Sequence, residues 1–296
     1  MSLAPPFPVN DSIAPRVKSG DRKSRGPLRD TAGTPPARVT LPSGHSPNLG
    51  DVMVPAWLHL LSIAALLAGV FCALAIAIHV TRHHQTMFIM NIVWPVTALF
   101  GGPFALWAYF TYGRLAAHEM TKAAMEKDAE PPSKTLTPFW AMVGKGTTHC
   151  GSGCAIGDIC AEWLAFAFPG IAVALGWQSI FPEKMFAVWV LDYVLAFLIG
   201  IVFQYMTIVP MRGLSFGEGL VAAVKADTLS LTAWQIGMYG FMALAQFYVF
   251  RTLIGTDLKV NTPEFWFMMQ IAMLCGFLTS YPVNWWLIKS GLKEAM

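Results

Sequence analysis

The sequence predicts an all-α, polytopic membrane protein: a six-helix transmembrane bundle with a disordered N-terminal tail. Three observations predict it. Hydrophobic residues make up 55% of the 296-residue chain and charged residues only 12%, about half the charged share of a soluble domain. Six windows are apolar over the roughly 20 residues needed to cross about 30 Å of hydrocarbon. Lys and Arg are unevenly placed around those windows, in the sense that the positive-inside rule requires.

Residues 1–50 contain nine of the twenty prolines, five glycines, seven Lys or Arg, and Phe7 as their only aromatic residue. Such a segment cannot bury enough apolar surface to fold and reads as a disordered basic tail. A cleaved secretory signal does not fit, because the first apolar stretch begins near Trp57 and exceeds the roughly 7 to 15 residues of a signal core.

The spans are placed at 57–80, 88–112, 155–178, 186–209, 229–250 and 265–288. With the tail inside, Arg38, Arg114, Lys122, Lys127, Lys134, Lys145, Arg212, Lys225, Lys289 and Lys293 are cytoplasmic. Arg82, Lys184, Arg251 and Lys259 are outside, a count of ten to four that puts both termini in the cytoplasm. The organisation is then a tail at 1–50, a two-span front at 51–112, a charged cytoplasmic linker at 113–146 containing Pro131 and Pro132, and a four-span back at 147–296. Pro95, Pro103, Pro169 and Pro282 are expected to kink their helices. No repeat supports an inverted-repeat transporter.

The stretch His149-Cys150-Gly151-Ser152-Gly153-Cys154, continuing through Asp158 and Glu162, opens the third predicted span. On a helix, Cys150, Cys154, Asp158 and Glu162 recur every four residues and share one face. Facing lipid, that stripe is expensive, so it is expected to face the bundle interior. Gly153 and Gly157 have the small-xxx-small spacing that admits a close neighbouring helix. Thiolates select soft ions, Cu(I) and Zn(II) above all, and an imidazole suits them too. His149, Cys150, Cys154 and Asp158 are therefore the candidate metal ligands, Asp158 in reserve, and His59 at similar depth is the alternative that would complete a four-ligand site. Cys72, Cys160 and Cys275 read as packing residues.

His79, His83 and His84 form a second cluster at the other end of span 1, with Asp192 a candidate neighbour; the i, i+4 spacing suits a metal, and solvated helix ends are the better explanation. Asn91, Gln204, Gln235, Gln246, Gln270 and Asn284 read as interhelical hydrogen-bond partners. The chain has no phosphate loop, nucleophile elbow or dinucleotide fingerprint, which argues against an ATP-driven pump and assigns no enzyme activity or catalytic residue. The nearly aromatic-free tail shows no sign of specific nucleic-acid readout, which leaves the lipid bilayer and a metal ion as the expected partners.

Three functions follow: handling or transport of a soft metal ion, with copper the first choice; thiol redox chemistry at Cys150 and Cys154; or a structural or accessory subunit without a ligand. The redox reading is strained, because helical i, i+4 cysteines run parallel and a cytoplasmic position favours thiols.

The string from His149 to Ile159, with Glu162-Trp163 and the closing Thr279-Ser280-Tyr281-Pro282-Val283-Asn284-Trp285-Trp286, resembles an uncharacterised bacterial membrane family, domain of unknown function 4396. The resemblance covers most of 52–296. It implies a helical bundle in the bacterial inner membrane, and no activity. The His-Cys-x-x-x-Cys element alone is similar to the first-span motif of sulfite-exporter and urease-accessory type transporter-like proteins, some linked to metal handling. That family usually has Met where Gly153 stands here.

Overall fold

The computed structural model describes residues 54–294, and the expected tail at 1–50 lies outside them. In chain order the elements are α1 (Ala56–Arg82), α2 (Met90–Ala108), α3 (His118–Met125), α4 (Pro132–Thr135), α5 (Phe139–Ala167), α6 (Gly170–Ala174), α7 (Lys184–Arg212), α8 (Phe216–Ala243) and α9 (Pro263–Lys289). Wide π-helical turns prolong α2 over Tyr109–Gly113 and α8 over Leu244–Ile254. The described residues contain no sheet, only two isolated bridges. The all-helical class is as the composition predicts.

Four helical segments are long and apolar enough to cross a membrane: Ala56–Arg82, Met90–Ala116, Lys184–Arg212 and Pro263–Lys289. Their outward surfaces fit that medium: α1 exposes Leu60, Leu67, Phe71, Leu74 and Ile78, a patch soluble monomers rarely leave uncovered. These features are compatible with a multi-pass membrane protein. α5 and α8 have 29 and 28 residues, enough for about 42 Å of helix, but they are less apolar, and their polar side chains turn inward.

The second of the four segments does not run straight. Gly102 has φ 49° and ψ −132°, a conformation only glycine adopts without strain, and Pro103 follows with a ring suited to starting a helix. The chain reverses there. A straight helix from 90 to 116 would part its ends by about 39 Å, yet the Thr86 amide donates to the Ala116 carbonyl at 2.9 Å and the His118 amide to that of His84 at 2.7 Å. The arms pack along their length, with the Trp94 ring against Tyr109 and Gly113. The expected span at 88–112 is thus a helical hairpin whose tip rests beside Gly69, midway along α1: a Cβ at Gly69 would lie 2.5 Å from the Leu99 carbonyl oxygen. That carbonyl, freed by the break, accepts from Gln270 Nε2 of α9 at 2.6 Å.

The hairpin sets the ends of the bundle. One end, the far end, holds the start of α1, where His59 Nδ1 meets Glu264 Oε1 at the start of α9 (2.6 Å), together with the end of α5, the start of α7 and the turn after α8. The near end holds both feet of the hairpin, the start of α5 and the end of α9, joined through Tyr281 and the Trp140 carbonyl. Ala56 and Lys289 therefore lie at opposite ends of the bundle, where six crossing spans would put them at one end; the chain's own termini lie outside the described residues. α5 begins at Phe139 and stops before Pro169, where the expectation was 155–178. The Cys motif accordingly lies in the middle of that helix and not at its opening, and the linker ends at Pro138.

Candidate functional site

The inward face of α5 carries the site. Cys150, Cys154 and Asp158 are at most 1% exposed and Glu162 is 6% exposed, so the four-residue period does turn the stripe into the protein. Glycines let the neighbours close on it. A Cβ on Gly157 would lie 2.5 Å from the Ala196 amide nitrogen, and one on Gly153 would lie 3.1 Å from Gly200 Cα, so α5 and α7 touch backbone to backbone along two small-xxx-small pairs. Gly151 accepts the face of the Trp234 ring from α8.

From the near end inward, polar groups follow one another through the core. Asn284 donates from Nδ2 to Ser230 Oγ at 2.7 Å and to the Ser280 carbonyl at 3.0 Å, while Ser280 Oγ donates to the Ser230 carbonyl at 2.9 Å. Lys293 reaches in from beyond α9. Asp227 of α8 comes next, 1% exposed and packed against Gly200. Cys150 and Cys154, buried a helical turn apart on α5, follow it. Asp158 then accepts from Gln235 Nε2 at 3.3 Å. Beyond it lies Asp192 of α7, 1% exposed, and Glu162 lines a cavity of about 330 Å³ at the far end together with Lys184, Gln246 and Arg251.

This file is short of partners. Both oxygens of Asp192, both of Asp227, Asp158 Oδ2 and Gln235 Oε1 are buried without a hydrogen bond. Buried polar atoms are nearly always paired, so this run of unpaired oxygens is an exception that a merely structural role does not account for.

The expected metal ligands do not all converge. His149 is 1% exposed, but its Nε2 meets Thr207 Oγ1 of α7 at 3.0 Å and its ring lies against Phe203, while the thiols face α8. Neighbours on a helix point about 100° apart, so His149 and Cys150 cannot share a face. Among the described residues no group of three or more His, Cys, Asp or Glu side chains is arranged to hold a metal ion. All five cysteines are free thiols.

Two other placements are corrected. His59 belongs to the far end with Glu264 and cannot reach His149. His79 and His83 stack at 4.5 Å, His79 with Tyr109 Oη at 2.8 Å and His83 with Glu119 at 3.3 Å, all at the near end; Asp192 lies towards the other. Sequence reasoning missed Asp227 and Lys293. Asp227 had a legible signal, a lone acid among Ala223, Ala226, Ser230 and Leu231; Lys293 had none, because it lies beyond the last apolar window.

Residues 139–293, from the start of α5 to Lys293, match the model of a family described as a domain of unknown function (DUF4396). No curated protein and no solved structure matches the chain. The file lies wholly within the matched segment, and α1 and the hairpin lie outside it.

Proposed function

The chain belongs to the DUF4396 family, and on that premise we propose that it is a multi-pass membrane protein that moves a cation along the buried thiol and carboxylate file between α5, α7 and α8. The observation that carries this reading is the row of unpartnered oxygens on Asp227, Asp158 and Asp192. An uncompensated charge at that depth costs several kcal/mol, and a passing cation removes the cost at each position in turn.

In this reading α1, α5, α7, α8 and α9 cross the membrane and the α2 hairpin enters from the near side. The near side is cytoplasmic. Ten of the thirteen Lys and Arg among the described residues, including Arg82, Arg114 and Lys122, sit towards it, against Lys184, Arg251 and Lys259 towards the other. The membrane is the bacterial inner membrane, and α1 starts on its outer side.

The proton is the favoured cargo, because it needs only one acceptor at a time and the file offers single carboxyl and thiol groups a turn apart. A soft metal ion is the second reading, favoured by two buried thiols a helical turn apart on the inward face of α5; Cu(I) accepts as few as two sulfur ligands. Proteoliposomes containing a pH-sensitive dye separate the two. Proton conduction should fall about tenfold or more in Asp158→Asn and persist in Cys150→Ser/Cys154→Ser. Bound copper and zinc per chain, counted in the parent and the double Cys variant, tests the metal. A parent protein that passes neither cation overturns the transport reading.

A further inference from the structure

Lys293 is 2% exposed, and its ammonium group is fully enclosed. Lysines are almost never buried to this extent without a partner built for them. Its Nζ donates to Asn284 Oδ1 at 2.8 Å and to the Gly146 carbonyl at 3.4 Å, and stands 3.9 Å from Asp227 Oδ1. Three oxygens on three helices converge on one ammonium.

The cradle is built independently of the lysine. Both Asn284 amide hydrogens are committed, to Ser230 Oγ and to Ser280, which fixes the amide and leaves Oδ1 aimed at the ammonium. Gly146 has no side chain to cover its carbonyl. Asp227 has no hydrogen-bonded partner on either oxygen, so its charge is answered by the ammonium across a gap and by nothing closer. A cation free to settle among these groups could approach Asp227 more closely than the tethered one does.

The lysine is held by a short strap. After α9, Gly291 adopts φ +71°, and the Leu292 and Lys293 amides return to the Leu287 carbonyl at 3.0 and 3.2 Å. Beyond it Glu294 accepts from Arg212 Nε and Nη2 at 2.9 and 2.6 Å. That pair is more than one-third exposed on each side, and exposed pairs of this kind hold weakly. The strap lies over the near end of the file, beyond the last residue of α9.

We propose that Asp227, Asn284 and the Gly146 carbonyl form a binding site for a primary ammonium or a monovalent cation of similar size. Lys293 is its tethered occupant, a stopper that must withdraw for the file to conduct. The site stands on its own geometry, and the stopper role rests on the transport reading above.

The site is tested by filling it from solution. Lys293→Ala leaves space for the three carbons and ammonium removed, so n-propylammonium chloride should raise the melting temperature of purified Lys293→Ala saturably. Tetramethylammonium chloride at equal ionic strength, which cannot donate a hydrogen bond, should not, and neither salt should shift the parent. Adding Asp227→Asn should remove the response. Equal responses to the two salts overturn the site. In proteoliposomes Lys293→Met should pass protons at least several-fold faster than the parent; an unchanged or slower rate overturns the stopper and leaves the site standing. Absence of flux in parent and variant alike sinks the transport reading, and the stopper with it, while the propylammonium response still decides the site. Should Lys293→Ala fail to fold, Glu294→Ala replaces it: Lys293 should then be acylated by an amine-reactive reagent at a rate near that of exposed Lys289. Protection as complete as in the parent overturns the strap and stopper.

Discussion

Gln85 and Ala117 face one another as an antiparallel bridge, although the whole of the apolar window at 88–112 lies between them. The flanking bonds from Thr86 to Ala116 and from His118 to His84 make them a non-hydrogen-bonded pair, with Cα atoms about 4.5 Å apart, within the range a disulfide spans. Oxidation of Gln85→Cys/Ala117→Cys in membranes should cross-link the pair nearly completely, read as a shift in fragment mobility after cleavage between them. A straight span would put the two cysteines on opposite membrane faces and give no cross-link.

The hairpin tip depends on Gly102. At its φ of 49° a side chain is strained whatever space surrounds it, so Gly102→Ala should destabilise the fold by about 1–3 kcal/mol. Gly144→Ala, where a Cβ meets nothing within 4 Å, should be neutral or slightly stabilising, since alanine is the better helix former. Melting temperatures of the two variants in detergent make the comparison.

Contact between α5 and α7 predicts a second asymmetry. Gly157→Ala places a methyl group 2.5 Å from the Ala196 backbone nitrogen, and backbone cannot swing aside as a side chain does. Overpacking of this kind costs about 1–3 kcal/mol. The helices must part to admit it, so thiol reagents should modify Cys154 faster in Gly157→Ala than in the parent. Unchanged reactivity would show that the backbone contact does not seal the file.

At the far end Arg251 donates to both Glu183 oxygens, at 2.8 and 3.1 Å, and to Asp257 at 2.9 Å. The hydrogen-bonded guanidinium holds the Glu183 carboxyl below the usual glutamate range. A depressed carboxyl stabilises the fold above its unfolded pKa, about 4.3, and the stabilisation is lost as pH falls through the folded value. Glu183→Gln should therefore melt below the parent at pH 7, by no more than about 1 kcal/mol for so exposed a pair, and the difference should shrink steadily as the pH is lowered past the unfolded pKa. A difference that grows on acidification would contradict the assignment.

How much of this is legible without coordinates depends on what each signal encodes. The α5 stripe is legible because a four-residue period specifies a face, and the cost of charge in lipid specifies where that face points. Gly153 and Gly157 announce a close neighbour in the same way, and Ala196 and Gly200 answer them with the same spacing. The hairpin is missed because windowed hydropathy counts apolar residues without regard to direction, and a chain that turns back inside lipid is as apolar as one that crosses. Gly101-Gly102-Pro103, a run that helices avoid at their centres, is the local sign of the reversal. Everything inferred about sidedness upstream of α5 inherits that error, which is why the sequence reading puts His59 and the His79, His83 and His84 cluster each at the wrong end. The inner boundary of α5 is lost for the opposite reason: Lys145 to Gly157 is too polar to read as a span, because this helix is solvated by protein and not by lipid.

The bond between Gln270 and the Leu99 carbonyl bridges 171 positions of sequence. At about 5 to 20 residues per second of synthesis, the hairpin leaves the ribosome roughly 10 to 30 seconds before α9 exists to receive its broken backbone. Until then that carbonyl has neither water nor a helical partner if the hairpin is already seated in hydrocarbon. The economical order of assembly keeps the hairpin at the headgroups of the near side while α5 to α9 are laid down, and lets it sink between α1 and α9 last. The part of the chain that looks like an early transmembrane segment would then be the final piece to take its place.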